Sequence, residues 1–237
     1  MSTPTDFKNI LRDSIHRGKS KDKLEDIGAY LLIQDLITFP EYFPTTSSSL
    51  RFHTLAAVLN DIIIYKRQNI IEFGAGISTL AIANLIKKNH LNCNFYSVED
   101  NSDWLNIIKS YLTKNNLQEH VNLIYAPLEK TNLALENNSW YSINSLSEKL
   151  NKDLKINLAM IDGPGAWRPE IRSSRYPAVP YLLNFLDDNF SIYLDDINRK
   201  GEKKILNLWQ KKYNMKFEKI NNTAAVYIKG KKLNTIP

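Results

Sequence analysis

From residue 69 onward, short apolar runs alternate with stretches in which apolar residues recur at helical spacing. The runs fall at 69–73, 94–98, 121–125, 156–161 and 190–194, with the Ile, Val, Leu and Phe content of buried strands. Between them, 78–88, 103–114, 142–150, 176–186 and 201–213 read as helices. In 103–114, Trp104, Leu105, Ile108 and Leu112 share roughly one face. The pattern ends in two runs, 215–220 and 223–228, joined by Asn221-Asn222, a plausible hairpin turn. Strand and helix in alternation predict an α/β fold. Its sheet would be mostly parallel and covered on both faces, with the hairpin adding an antiparallel strand at one edge.

Ahead of this block, 6–15 and 21–36 have helical spacing and 39–49 is a break rich in Pro, Thr and Ser. Residues 50–65 read as a helix leading into the core. We therefore divide the chain into a helical N-terminal extension, 1–67, expected to form a lid or dimer surface, and a main α/β domain, 68–232. No internal repeat or low-complexity linker interrupts either part.

Composition narrows the classes. With 237 residues, 43% apolar and 11% aromatic, the chain can bury a substantial core. Its longest apolar runs, such as 62–65, fall far short of the roughly 20 residues a bilayer span needs. The segment from Met1 to Lys23 is polar and mixed in charge, unlike a secretory signal. Cys93 is the single cysteine, which excludes an internal disulfide and cysteine-based zinc sites and fits a reducing, cytoplasmic setting. The net charge of +6 owes much to lysines in the last third, among them Lys203, Lys204, Lys211, Lys212 and Lys216. They are scattered rather than interleaved with stacking aromatics, which reads as a solvated basic face and weakens a nucleic-acid role.

Chemistry enters at Ile70-Ile71-Glu72-Phe73-Gly74-Ala75-Gly76-Ile77-Ser78-Thr79. Here an apolar strand carries an acidic residue near its end, two glycines follow, and a Ser-Thr pair can open a helix. Glycine lets a backbone approach a ligand closely. Glu72 repels phosphate and attracts ammonium, so the implied ligand is cationic and nucleoside-sized. Acidic residues end four candidate strands: Glu72, Glu99, Asp162 and Asp195-Asp196. In a parallel sheet, ligands bind beyond the carboxyl ends of the strands, so this fold would gather those carboxylates along one rim. Any one of them alone reads equally as a helix cap or a solvated turn residue.

The order of these features, over about residues 50–230, resembles class I S-adenosylmethionine-dependent methyltransferases, whose first motif is acidic-x-Gly-x-Gly. The resemblance implies a Rossmann-like, seven-stranded methyltransferase sheet. It gives Glu72 the methionine ammonium, directly or through water, and lets Gly74 and Gly76 lie against the cofactor. Ser78 and Thr79 would cap the helix and contact the carboxylate end. Glu99 would accept from the ribose hydroxyls, Asp100 would lie near the adenosine, and the backbone of Ala126 or Leu128 would border the adenine. A dinucleotide-binding fold is the rival, but its third glycine is replaced by Thr79. Trp140 and Tyr141 read as core more readily than as a substrate platform.

A second block, Ile161-Asp162-Gly163-Pro164-Gly165 with Arg175-Tyr176-Pro177-Ala178 and Tyr193-Leu194-Asp195-Asp196, resembles small-molecule and sugar O-methyltransferases. The metal-dependent members imply a Mg²⁺ site of Asp162, Asp195 and Asp196, hard oxygen ligands that leave room for substrate oxygens. In the non-metal reading, Asp162 orients substrate and the Asp pair caps the next helix. The catechol-type lysine after the fourth strand is absent from Gly163-Pro164-Gly165-Ala166-Trp167, so a base, if needed, would be Asp162 itself. Arg175 and Trp167 are candidate substrate-binding residues, Arg175 through its guanidinium on an oxyanion or, equally, as a surface ion-pair partner of Glu170. Arg199 reads as an ion-pair partner of Asp196, and His53 as a candidate for the pocket roof.

No Asn-Pro-Pro-aromatic motif follows the fourth strand, and Cys93 lies remote from the chemistry, which sets aside base N- and C5-methylation. The expectation is a cytoplasmic methyltransferase acting on a hydroxyl of a small molecule, a sugar or glycan precursor first, with a homodimer possible. The alternatives are an RNA methyltransferase, suggested by the basic charge, and a non-catalytic cofactor-binding module.

Overall fold

The computed structural model describes residues 4–136 and 138–237, with residues 4–19 described as backbone alone. Seven strands form the main sheet: β1 (Asn69–Phe73), β2 (Asn94–Glu99), β3 (Asn122–Tyr125), β6 (Ile156–Ile161), β7 (Leu186–Leu194), β8 (Glu218–Lys219) and β9 (Ala225–Lys229). A short separate hairpin supplies β4 (Leu128–Lys130) and β5 (Ser139–Tyr141). The helices are α1 (Pro4–Ile37), α2 (Phe52–Ile64), α3 (Ile77–Lys88), α4 (Ser102–Lys114), α5 (Ile143–Lys149), α6 (Ala178–Leu182) and α7 (Lys200–Tyr213). Across the sheet the order is β3-β2-β1-β6-β7-β9-β8, parallel except where β9 joins β7 and β8. The strand order reverses between β1 and β6, which is where such sheets open a crevice.

The alternation along each strand builds two cores. Ile70, Phe95, Leu158 and Met160 face the layer of α1, α2 and α3. Ile71, Phe73, Ala159, Ile161, Ile192 and Leu194 face α5, α6 and α7. The extension shares the first core: Ala29, Ile33 and Ile37 of α1 are buried in it, and α2 is buried along most of its length. Among the described residues, no helix is long and apolar enough to cross a membrane.

Four predicted boundaries move, one of them that of the strand expected at 215–220, which shrinks to Glu218–Lys219. The helices expected at 6–15 and 21–36 are one, Pro4–Ile37. Gly18 lies between them, and a single helical glycine costs only about 1 kcal/mol. The helix starts at Pro4, where a missing N–H is harmless, and stops ahead of Phe39-Pro40. The helix expected over 176–186 shrinks to Ala178–Leu182, and β7 begins at Leu186 rather than 190, pairing Leu186 with Ile156 beside a bulge. Each strand of the β4–β5 hairpin has only three residues, too short to show a period.

Candidate functional site

The strand ladders run to the rim and fix it. Gly74 N–H donates to the Val98 carbonyl (2.8 Å), Asp162 N–H to Phe73 (3.0 Å), and Asp195 N–H to Ile161 (3.1 Å). Five predicted carboxylates, at four strand ends, thus come to the carboxyl end of one sheet. Gly74 has φ +98°, and a Cβ there would sit 2.9 Å from Gly163 N, so the ends of β1 and β6 touch through glycine. A Cβ on Gly76 would meet nothing within 4 Å. Gly76 lines a pocket with Gly74, Ser78, Glu99, Asp100 and Asp162, and the space beside it is the pocket itself.

Glu72 is fully buried and absent from the pocket wall. Its oxygens accept from the hydroxyls of Ser78, Thr79 and Ser97, the last at 2.7 Å. The Gly76 N–H in turn donates to Thr79 Oγ1 at 2.9 Å. Glu72 therefore ties the glycine turn to the first turn of α3 and to β2. Burial pushes its carboxyl up to about 7 despite the three hydroxyls.

Glu99 faces the pocket. Its Oε2 accepts from Ala75 N–H (3.1 Å), and its Oε1 from the N–H groups of Asp100 (3.1 Å) and Asn101 (2.9 Å). These donors fill three of a carboxylate's roughly four acceptor positions, leaving one open on Oε2. Burial raises both Glu99 and Asp100 above their ordinary values. Asn101 caps α4 by accepting from the N–H groups of Asp103 and Trp104, and Trp104 Nε1 donates to the Ala75 carbonyl at 2.8 Å.

Pro44, Thr46, Ser48, Ser49 and Leu50 complete the wall from the N-terminal side. Phe43, 5.0 Å from Tyr111 and 6.0 Å from Trp104 between ring centres, pins this segment over α4, and Tyr111 Oη donates to the Tyr42 carbonyl. Part of the break read at 39–49 is thus a wall of the pocket. His53 lies elsewhere: it is buried beside Asn221 and does not line the pocket.

At the ends of β6 and β7, Asp162, Asp195 and Asp196 each present an oxygen within 4.8 Å of the others, a donor set suited to a hard cation. The structure places a guanidinium among them. Arg175, 3% exposed, lies 3.2 Å from Asp162 Oδ1, 3.1 Å from Asp196 Oδ2 and 3.9 Å from Glu202 Oε1. It also donates to the carbonyls of Pro164 and Asp195, both at 3.3 Å. Arg199 adds a second contact to Asp196 Oδ2 at 2.7 Å, as its spacing suggested. Two guanidiniums thus stand in a cluster of four carboxylates, three of which they contact, and Asp195 Oδ1 and both Glu202 oxygens have no hydrogen-bond partner. Burial and then Asp195 hold Asp162 well above the carboxylate range; burial and then Asp196 push Asp195 up to about 7. Arg175 is not a surface partner of Glu170.

Leu128 is 41% exposed on β4, and Trp167 is 71% exposed, stacked with the Arg168 guanidinium 4.7 Å from its ring; neither lines the pocket. Tyr141 does. Its hydroxyl is buried without a partner, 2.2 Å from where a Cβ on Gly163 would stand. Burial and then Glu99 hold the phenol well above its ordinary value, so it stays neutral. Trp104 and Tyr141 both read as core aromatics in the sequence. The unpartnered Tyr141 hydroxyl and the Trp104 bond to the glycine turn, which mark them as site residues, follow from the fold alone.

The sequence matches no protein-family model and no curated protein. Solved structures do match. The S-adenosylhomocysteine-bound methyltransferase PaMTH1 of Podospora anserina is 13% identical, over 93% of this chain and 96% of its own, with a TM-score of 0.60. An O-methyltransferase of Bacillus cereus in complex with S-adenosylhomocysteine is 14% identical over 86% of this chain and 90% of its own, TM-score 0.54. A candidate caffeoyl-CoA O-methyltransferase of Staphylococcus aureus is 16% identical over 94% and 99%, TM-score 0.57. The chain has the class I methyltransferase fold.

Proposed function

We propose that this chain is an S-adenosylmethionine-dependent O-methyltransferase acting on a hydroxyl of a small molecule, with a sugar or glycan precursor as the first acceptor class to test. The observation that carries the reading is the pocket at the β1–β6 switch point. A glycine turn there leaves the space beside Gly76 open, and Glu99 faces it with an unused acceptor position. That is a cradle for an adenosine with its two ribose hydroxyls, which Glu99 Oε2 and the neighbouring Asp100 would take. The O-methyltransferase neighbours on the same fold support the choice of reaction.

S-adenosylmethionine bound there supplies an electrophilic methyl group. The chain's own contribution is placement. The backbone of Gly74, Ala75 and Gly76 fixes one end of the ligand, Trp104 and the 44–50 segment limit water, and Asp162 stands at the pocket wall to orient an acceptor hydroxyl. Burial and then Asp195 raise the Asp162 carboxyl, which makes it a stronger proton acceptor than a surface aspartate. Glu72 acts through the turn it holds and not on the ligand. Arg175, already engaged by carboxylates, is not free to grip an acceptor oxyanion.

The test is calorimetric titration with S-adenosylhomocysteine. Micromolar binding, roughly −7 to −8 kcal/mol, weakened at least about tenfold in Glu99→Ala, is the expected result. An absence of binding in the wild-type chain overturns the proposal.

A further inference from the structure

We propose that Arg175 is the resident cation of the carboxylate cluster at the ends of β6 and β7. It holds Asp162 at the pocket wall, so the site works without a divalent metal. Its consequence for chemistry rests on the methyl-transfer reading above; the occupancy of the cluster does not.

The argument is one of place and enclosure. A divalent ion bridging Asp162, Asp195 and Asp196 would need the volume that the guanidinium fills, because Arg175 already contacts Asp162 and Asp196 and donates to the backbone of Asp195. Two cations in one buried volume repel strongly, because the interior screens charge poorly. Nor can the side chain easily swing away. Arg175 is 3% exposed, closed in by the Pro164 carbonyl and by Glu202 behind it. Its backbone is pinned on both sides: Ser174 Oγ donates to the Ile171 carbonyl at 2.7 Å, and Trp209 Nε1 donates to the Tyr176 carbonyl at 3.0 Å.

A guanidinium also suits the geometry. It is planar and multidentate, and it meets three carboxylates and two carbonyls drawn from three segments of chain. A fixed charge of this kind orients Asp162 but cannot act as a Lewis acid on the acceptor. The acceptor hydroxyl would then have to be activated by the carboxylate.

The experiment is a titration of EDTA-washed full-length protein with Mn²⁺, followed by electron paramagnetic resonance, on the wild type, Asp195→Asn and Arg175→Met. We expect no Mn²⁺ binding in the wild type that depends on Asp195. Arg175→Met, with its carboxylates released, should bind Mn²⁺ at least about tenfold more tightly than the wild type, since affinity follows ligand charge. Wild-type Mn²⁺ binding that weakens in Asp195→Asn would overturn the proposal, as would a folded Arg175→Met with no gain. If Arg175→Met does not fold, the wild type and Asp195→Asn decide alone. S-adenosylhomocysteine binding by the same metal-free samples separates the two readings. Binding that appears only on adding Mn²⁺ overturns the role of Arg175. Its absence with and without metal overturns the cofactor reading and leaves the Mn²⁺ result to decide Arg175.

Discussion

Among the described residues two arginines are buried, one at each end of the sheet, and they are built differently. Arg67, ahead of β1, is 4% exposed and pairs with one carboxylate, Asp61, at 2.6 Å. Neutral partners complete that network: Ser191 and Tyr193 donate to Asp61 Oδ2 at 2.6 and 2.9 Å, and Arg67 donates to the Asn189 carbonyl. One positive charge meets one negative, and both Asp61 oxygens are satisfied. At the rim, Arg175 and Arg199 meet the carboxylates of Asp162, Asp196 and Glu202 with Asp195 alongside, and three carboxylate oxygens are left without a hydrogen bond. A closed, balanced network is what structure alone demands of a buried ion pair. Surplus charge with unmet hydrogen-bonding capacity costs stability, and it lies beside the pocket.

The sharpest way to break this contrast is to neutralise one carboxylate in each network. Asp61→Asn leaves Arg67 buried without its counter-ion and should cost about 3–5 kcal/mol. Glu202→Gln removes a charge from a carboxylate-rich cluster at a side chain whose oxygens accept no hydrogen bond. It should change stability by less than about 1 kcal/mol, in the stabilising direction if in either. Urea denaturation of both variants at pH 8 measures the difference; equal losses would erase the distinction between the networks.

Glu72 sharpens the comparison from the other side of the rim, where a buried carboxylate has hydroxyl donors and no cation. Its carboxyl sits at about 7 in the folded chain against an ordinary 4.5. The folded state therefore holds the proton more tightly than the unfolded one. The stability this contributes is complete below about 4.5 and is lost as pH rises through 7. At about 1.4 kcal/mol per pH unit the loss is about 3 kcal/mol in all. Glu72→Gln, neutral at every pH, should lose correspondingly less between pH 5 and pH 8 than the wild type does. Parallel curves from denaturation across that range would show that Glu72 is not the group responsible.

How much of this was legible in the sequence follows the same division. The periods of 156–161 and 103–114 located β6 and most of α4, because burial on two faces or one leaves a regular trace. The convergence of Asp162, Asp195 and Asp196 followed from strand ends in a parallel sheet. What converged on them did not: Arg175 lies between 13 and 21 residues from those carboxylates, and no local pattern says that a guanidinium turns inward. Glu72 looked like a ligand because its place in the motif is visible, whereas the three hydroxyls that occupy it, Ser78, Thr79 and Ser97, belong to two other elements. Trp104 and Tyr141 read as apolar bulk, since a sequence shows the ring and not where its polar end points.

The two glycines of the turn carry the contrast down to single carbon atoms. At Gly74 the surrounding space is full and φ is +98°, so Gly74→Ala meets both backbone strain and the Gly163 nitrogen at 2.9 Å. A loss of about 1–3 kcal/mol of stability is expected, with weaker ligand binding as a secondary result. At Gly76 the backbone is extended, φ −172°, and the methyl of Gly76→Ala would stand in open space. Stability should move by less than about 0.5 kcal/mol, while affinity for S-adenosylhomocysteine falls because the methyl occupies ligand volume. Melting temperature and calorimetric affinity measured on both variants separate the two cases. If Gly76→Ala binds as tightly as the wild type, the space beside Gly76 is not where the ligand lies, and the glycine turn serves only to let β1 and β6 approach.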